Sequence, residues 1–344
     1  MDPDAVRVAM LHQDPHPAHR GFAEAIGADL VDYHRLSLGP LEGTILEDGL
    51  NGLAFPDYDV YLVEGSRPLY AALARRVARG GTLVYLCADH GLYQLGSSGF
   101  EGESALKSLI GTFGSPAARI AGRRGIDGVV AVSEFAAEFT RPVVGPNTPI
   151  EVAHPFIQPE TYNALGDVRP DLEANVAVTV ARPWEYKGVD VLVDAWPRVR
   201  ESIPDAELHV VGGGHPAEYA ETPGVRVRGY VEDLADAFAP ASLFVQPSRM
   251  DTFPVSTLEA MRAGLVPLVT RTAGTRSEAR EIDPSLVVAP YERALARGVS
   301  AYFERSGADR RKLADRARDR GARFDPDSRK AAFRSAFRGV LKAL

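Results

Sequence analysis

Twelve short apolar runs, each five to seven residues long, constrain the fold of this chain more than any other feature. Six lie in the first half: VRVAML (6–11), ADLVDY (28–33), DVYLVE (59–64), TLVYLCA (82–88), GVVAVS (128–133) and IEVAHP (150–155). Six more follow: VAVTVA (176–181), ELHVVG (207–212), VRVRGY (225–230), SLFVQP (242–247), VPLVT (266–270) and SLVVAP (285–290). They show little polar alternation, which is the pattern of strands buried on both faces of a parallel sheet. Helical patterns separate most of them, as in PLYAALARRVARGG, with Pro68 near its start and Gly80 past its end. Repeated alternation of strand and helix over short connections predicts doubly wound α/β layers.

At 344 residues the chain is long for one core and sufficient for two. The segment IQPETYNALGDVRPDLEAN (157–175) breaks the rhythm with prolines, Gly166 and polar residues, and reads as a linker. Two domains of similar size are expected, residues 1–157 and 176–325, with 158–175 joining them. A helix over about 326–344 is expected to pack back on the first. Where the carboxyl ends of the two sets of strands face each other, a ligand cleft is expected.

Composition removes several functional classes. No apolar run approaches the ~20 residues of a membrane span. The single cysteine, Cys87, excludes an internal disulfide and a cysteine-based zinc cage. Within TLVYLCAD it reads as a small buried hydrophobe. The opening MDPDAVRVAMLHQ enters a strand-like run without a basic segment or cleavage site, so no secretory signal is expected and the cytoplasm is the expected compartment. The net charge of −7 argues against a nucleic-acid partner. Residues 304–344 hold thirteen Lys/Arg against six Asp/Glu, a local +7, leaving −14 on the rest. A basic tail on an acidic body suits peripheral contact with anionic lipid at the inner face of a membrane. Solvated amphipathic helices are the preferred reading, here and for the basic stretch 105–125.

The chemistry concentrates in the second half. In VARPWEYKGVDVLVDAW (180–196) a strand ends near Arg182, and Lys187-Gly188 opens a helix with Val189, Leu192, Val193 and Trp196 on one face. Two cations at the carboxyl edge of a sheet suit a diphosphate: a guanidinium grips two oxygens, and an ammonium adds a point charge. The glycines of VVGGGH permit a tight turn, but match neither a Walker A loop nor a dinucleotide fingerprint. In DTFPVSTLEAM, Pro254 fits the first position of a helix running to Ala263, with Gly264 at its stop. The amides of Val255 and Ser256 then stay free for an anion. Asp251 precedes the helix and Glu259 lies more than a turn inside it, both offset to accept bonds from hydroxyls, as acids do at ribose. Each residue alone also has an ordinary reading: a dipole-satisfying acid for Asp251, a surface helix residue for Glu259.

These segments resemble the retaining, nucleotide-sugar-dependent glycosyltransferases of family 4, which have the two-domain GT-B fold. The family pattern G-R-x-x-x-x-K-G, V-G-x-G, x-G-x-V and P-S-x-x-E-x-F-x-x-x-x-x-E-A-M-A-x-G-x-P-V appears here in order as VARPWEYKG, VVGGGH, RGYV and PSRMDTFPVSTLEAMRAGLVPLV. GTRSE and VVAPYERALARGV resemble its later segments, so the likeness covers about 176–303. The resemblance implies two Rossmann-like domains, the first for the acceptor and the second for the donor, a UDP- or GDP-sugar. It implies that Arg182 and Lys187 hold the donor diphosphate and that Glu259 binds the ribose. Gly229, Tyr230 and Val231 would lie against the base. Asp251 stands where the family's first Glu meets the donor sugar, one methylene shorter. Thr252 and Phe253, in the loop ahead of the helix, join Val255 and Ser256 in the donor-binding set.

In the first half the likeness is slight. VAVSEF (130–135) resembles a family V-x-x-V-S segment, and His90 falls nearest to a His that many members place by the donor sugar; a loop histidine is the alternative. The family's glycine-rich first loop is replaced by MLHQDPHPAHRGFAEAIGA, where His16, His19 or Arg20 could supply charge. The implied reaction moves a sugar to an acceptor hydroxyl with retention, by front-face attack without metal or other cofactor. The acceptor would be a glycan, a lipid-linked molecule or a small molecule. The D-x-D at Asp57–Asp59 sits at the wrong, amino-terminal end of a strand and reads as loop chemistry. Alternatives are a nucleotide-sugar epimerase of the same fold and a catalytically silent partner subunit; a nicotinamide oxidoreductase lacks its glycine fingerprint.

Overall fold

A computed structural model describes residues 5–12, 17–34, 45–89 and 122–344. The chain divides into two compact units. The first comprises residues 1–155 and 329–344, the second 156–328. Each apolar run noted above holds one strand.

In the first unit, β1 (Val8–His12), β2 (Asp29–Asp32), β3 (Val60–Glu64), β4 (Thr82–Cys87), β5 (Gly128–Ala131) and β6 (Ile150–Val152) form one sheet in the order β2-β1-β3-β4-β5-β6. Every pairing is parallel, with registers such as Val8↔Val60 and Val84↔Gly128. The central strands are buried throughout, which is why their sequences are continuous apolar runs. Helices α1 (Pro17–Ile26), α2 (Ile45–Leu53), α3 (Ser66–Arg79) and α4 (Glu134–Thr140) connect them. Ser133, in the VAVSEF segment, caps α4 by accepting from the Ala136 amide at 3.0 Å. Cys87 is buried, and that burial pushes its thiol up to about 12, so it is the apolar filler its sequence context suggests.

In the second unit, α5 (Pro159–Gly166) precedes β7 (Val176–Val180), α6 (Val189–Ser202), β8 (Glu207–Val211), β9 (Val225–Gly229), α7 (Leu234–Phe238) and β10 (Leu243–Gln246). Then come α8 (Val255–Ala263), β11 (Val266–Thr270), α9 (Arg276–Ile282), β12 (Val287–Val288), α10 (Glu292–Phe303) and α11 (Gly307–Gly321). The sheet is again all parallel, in the order β12-β11-β10-β7-β8-β9. Its core is Trp196, Phe238, Phe244 and the aliphatic side chains around them, all shut off from solvent.

The segment 158–175 is not a linker. Helix α5 occupies it, and Leu165 and Val168 enter the core cluster around Phe238 and Phe244. The Arg318 guanidinium fastens its end by donating to Gly166 O at 3.0 Å and Val168 O at 2.9 Å. Prolines and polar residues suggested an open connection, but Leu165 and Val168 pack onto the unit, and Tyr162 joins them by donating to Ala322 O at 2.8 Å.

The last helix, α12 (Pro326–Ala343), belongs to the first unit from Arg329 onward. Phe333 stacks on Phe22 of α1 with ring centroids 4.1 Å apart and an interplanar angle of 4°. Arg334 donates to Ala25 O at 2.6 Å, and Lys330 pairs with Glu24 at 3.0 Å. Among the described residues no helix is long and apolar enough to cross a membrane. Because Phe333 is fully buried, Phe333→Ala is expected to cost about 3–5 kcal/mol. Denaturant unfolding checks this; a loss below about 1 kcal/mol would mean the helix end is not held by that stack.

Candidate functional site

The second sheet reverses its order between β7 and β10. The chain runs outward through β8 and β9, then returns to lay β10 on the other side of β7. At such a switch point the loops leaving the carboxyl ends part to opposite faces and open a crevice for ligands. The two loops here, 181–188 and 247–254, carry Arg182, Lys187, Asp251, Thr252 and Phe253.

These loops are clamped together. Tyr186 O accepts from the amides of Arg249 (2.9 Å) and Met250 (3.3 Å). The Arg249 guanidinium makes two bonds to Asp190, at 2.7 and 2.6 Å, and a third to Glu185 O at 2.7 Å. That two-pronged bond holds the Asp190 carboxyl below its ordinary range. Gly188 ends the short turn Glu185–Lys187 at φ +69°, and a Cβ there would lie 2.3 Å from Pro247 O. Only glycine lets the loops come this close.

The clamp brings Lys187 to Asp251. Its ammonium lies 2.6 Å from the carboxylate, with side chains 19% and 9% exposed. Asp251 is also pinned through its backbone, donating to Thr272 O at 3.0 Å and accepting from Gly274 N at 2.8 Å. The hydroxyls of Thr270 and Thr272 brace the same loop by donating to Ser248 O at 2.6 and 2.7 Å.

Helix α8 starts one residue later than the sequence suggested. Pro254 is its cap residue, and the first helical residue is Val255. Proline has no amide and offers no capping side chain, so the amides of Val255 and Ser256 find no acceptor among the described residues. The Ser256 hydroxyl donates to Gln246 Oε1 at 3.2 Å, tying the turn to the end of β10. Thr252 and Phe253 are buried, with the Phe253 ring 6.1 Å from that of Phe324. Glu259, one turn in, is half-buried and makes neither hydrogen bond nor ion pair with any described residue. Burial raises its carboxyl to about 7.

Two further strand ends converge here. Gly212 has φ +137°, and a Cβ on it would meet Ala181 O at 2.0 Å. Its amide donates to Gly229 O at 2.8 Å, and His215 donates to Ala181 O at 2.8 Å. Gly229 therefore sits beside the glycine turn, followed by Tyr230, 78% exposed, and half-buried Val231. Arg182 is exposed, and among the described residues it pairs with no carboxylate; its guanidinium carbon stands 5.0 Å from the Trp184 ring centroid.

The remaining candidates lie elsewhere. His90 and His16 fall outside the described residues. His19 is buried on α1, its Nδ1 bonded to Glu64, while Arg20 is exposed. Asp57 is held by Arg75, and Asp59 accepts from the Arg7 amide at 2.8 Å, so both acids of the D-x-D are engaged at the amino-terminal edge of the first sheet. Glu278, which ends GTRSE, is buried and paired with Arg320 of α11. Sequence reading passed over Arg249 and Asp190, the clamp itself. Their signal was a lone cation inside PSRMD and an acid three residues after Lys187.

Residues 174–305 match the family model described as Glycosyl transferases group 1. The matched span contains both clamped loops and all four of Arg182, Lys187, Asp251 and Glu259. Mannosylfructose-phosphate synthase of Agrobacterium fabrum is 32% identical over 120 residues, 30% of this chain and 26% of that protein. Glycogen synthase of Deinococcus radiodurans is 36% identical over 110 residues, 30% of this chain and 24% of that one. The chain thus matches about a quarter of the length of these curated relatives. Among solved structures, sucrose-phosphate synthase from Thermosynechococcus elongatus superimposes with TM-score 0.70 at 17% identity, over 100% of this chain and 98% of that one. Anabaena HepE, solved with UDP and glucose, gives 0.67 at 18% identity, over 98% and 100%. The fold is GT-B.

The raised carboxyl of Glu259 has a measurable consequence. An unfolded Glu titrates near 4.3, so folding favours its neutral form. The stability it contributes is full below about 4 and is lost as pH rises through about 7. Glu259→Gln should therefore raise the melting temperature at pH 8 and leave it nearly unchanged at pH 4. An equal offset at both would contradict a buried, unpartnered carboxylate.

Proposed function

We propose that the chain is a glycosyltransferase of the family 4 type, transferring a sugar from a nucleoside-diphosphate sugar to an acceptor hydroxyl with retention and without a metal ion. One observation carries the reading. The loops and the helix that leave one switch point carry an uncapped helix start, a lysine and, without a charged partner among the described residues, an arginine and a carboxylate, all within a region matching the group 1 family.

In this reading the diphosphate rests on the amides of Val255 and Ser256, with Arg182 and Lys187 against its oxygens. Breaking the sugar–phosphate bond moves negative charge onto the diphosphate, and these donors are already aimed at it. The carboxylate of Glu259 accepts from the ribose hydroxyls, and Tyr230 and Val231 flank the base. Asp251 holds Lys187 until the donor arrives, then accepts from a hydroxyl of the sugar. The acceptor attacks from the face the diphosphate leaves, with a phosphate oxygen taking its proton. HepE was solved with UDP-glucose, which supports a UDP-sugar as the first donor to try. The first unit would then bind the acceptor.

The test is incubation of the full chain with UDP-, GDP- and ADP-sugars, with and without a panel of glycan, lipid-linked and small-molecule acceptors. Transfer is expected, with Arg182→Ala and Glu259→Ala each lowering kcat/KM by about 10²-fold or more. Saturable donor binding with no transfer, in which only the donor's own sugar is altered, would point to the epimerase. No saturable nucleotide binding would overturn the reading. A pH profile adds a second check. Ribose hydroxyls favour ionised Glu259, so nucleotide-sugar affinity should fall, by up to about tenfold per pH unit, as pH drops below about 7. In Glu259→Gln that dependence should flatten; an unchanged slope would remove Glu259 from the ribose site.

A further inference from the structure

The loop Arg-Pro-Trp-Glu-Tyr-Lys at 182–187 contains an arrangement that the proposed chemistry does not by itself require. Its two aromatic rings stack, Trp184 on Tyr186, with centroids 5.5 Å apart and planes 29° from parallel. Each ring carries one of the two cations. The Arg182 guanidinium carbon lies 5.0 Å from the Trp184 centroid, and the Lys187 ammonium 5.2 Å from the Tyr186 centroid.

One end of this stack is fixed, because Tyr186 O accepts both backbone bonds of the loop clamp. The other end is open: Trp184 is 46% exposed, so core burial does not account for a tryptophan there. Arg182 differs from several other arginines of the second unit. Arg249 is committed to Asp190, Arg318 to backbone carbonyls and Arg320 to Glu278. A carboxylate partner would occupy the N–H edges that a phosphate must reach. An aromatic face holds the cation by its flat side and leaves those edges free.

We propose that Trp184, braced by Tyr186, is a positioning residue that holds the Arg182 guanidinium ready for the donor diphosphate. This rests on the functional reading above. Trp184 acts through Arg182 and does not itself hold the ligand, which separates it from a base-stacking residue.

The experiment is calorimetric titration of UDP, GDP and ADP into the full-length chain and into Trp184→Ala, Trp184→Phe, Arg182→Ala and the Trp184→Ala/Arg182→Ala double variant. Melting curves accompany each variant to show that it is folded. For whichever nucleotide binds, Trp184→Ala is expected to raise Kd by about 3- to 10-fold, and Trp184→Phe, which keeps a ring face, by under about 2-fold. In the Arg182→Ala background, Trp184→Ala should change Kd by less than about 2-fold, because the residue it positions is gone. A full-sized loss in that background, or no loss in the wild-type background, would overturn the proposal while leaving the functional reading intact. Failure of the unmodified chain to bind any of the three would overturn both.

Discussion

The bidentate bond between Arg249 and Asp190 is the contact on which the site depends. It joins the loop after β10 to the first turn of the helix after β7, across the point where the sheet reverses. Two backbone bonds to Tyr186 O and the close passage of Gly188 under Pro247 O complete the same closure. Without it, Lys187 and Asp251, sixty-four positions apart, would have no reason to meet. A charged pair this poorly hydrated holds together only if both members are delivered with good geometry. The clamp supplies that geometry from outside the pair.

Around this frame several cations of the second unit are spent on holding it together. Arg310 donates to the carbonyls of Leu172, Glu173 and Ala174, Arg318 to those of Gly166, Val168 and Ala263, and Arg320 holds Glu278. These cations are consumed by the fold. Arg182, Glu259 and the first amides of α8 are left with unmet capacity at the same sheet edge. A carboxyl driven up to about 7 by burial is a cost that folding alone would not retain. Glu259 lies one turn beyond the open amides of α8, on the helix that leaves the same sheet edge as the Arg182 loop, and that is the physical basis for expecting an anionic, hydroxyl-bearing ligand.

Much of this was legible in the sequence, for a definite reason. Parallel strands covered on both faces must be apolar along their length, so runs such as VAVTV and LFVQ declared themselves. Arg182, Lys187, Asp251 and Glu259 could be grouped because the first three fall at a strand exit or helix start, Glu259 lies a turn inside the helix that follows Asp251, and all four keep the order of the family pattern they resemble. What escaped was set by side-chain direction and tertiary packing. The helix at 159–166 was hidden by prolines and polar residues, since Leu165 is its one buried apolar side chain and the other contacts that hold it, Tyr162 under Arg262 and Arg318 at its end, come from distant parts of the chain. Pro254 serves as cap and not as first helical residue, a shift of one that composition does not resolve. Arg249 and Asp190 looked like surface charges until their loops were brought together. The stacking of Trp184 on Tyr186, two positions apart in an irregular turn, follows no periodicity that a sequence displays.

Everything turns on whether the carboxyl edge at β7 and β10 receives a nucleoside diphosphate. A crystal structure of the chain with a bound nucleoside diphosphate tests it most directly. The diphosphate is expected on the amides of Val255 and Ser256, within hydrogen-bond reach of Arg182 and Lys187, and the ribose hydroxyls on the Glu259 carboxylate. A nucleotide lodged at another edge of the sheet, with Glu259 still unpartnered and Arg182 still turned only to Trp184, would contradict it.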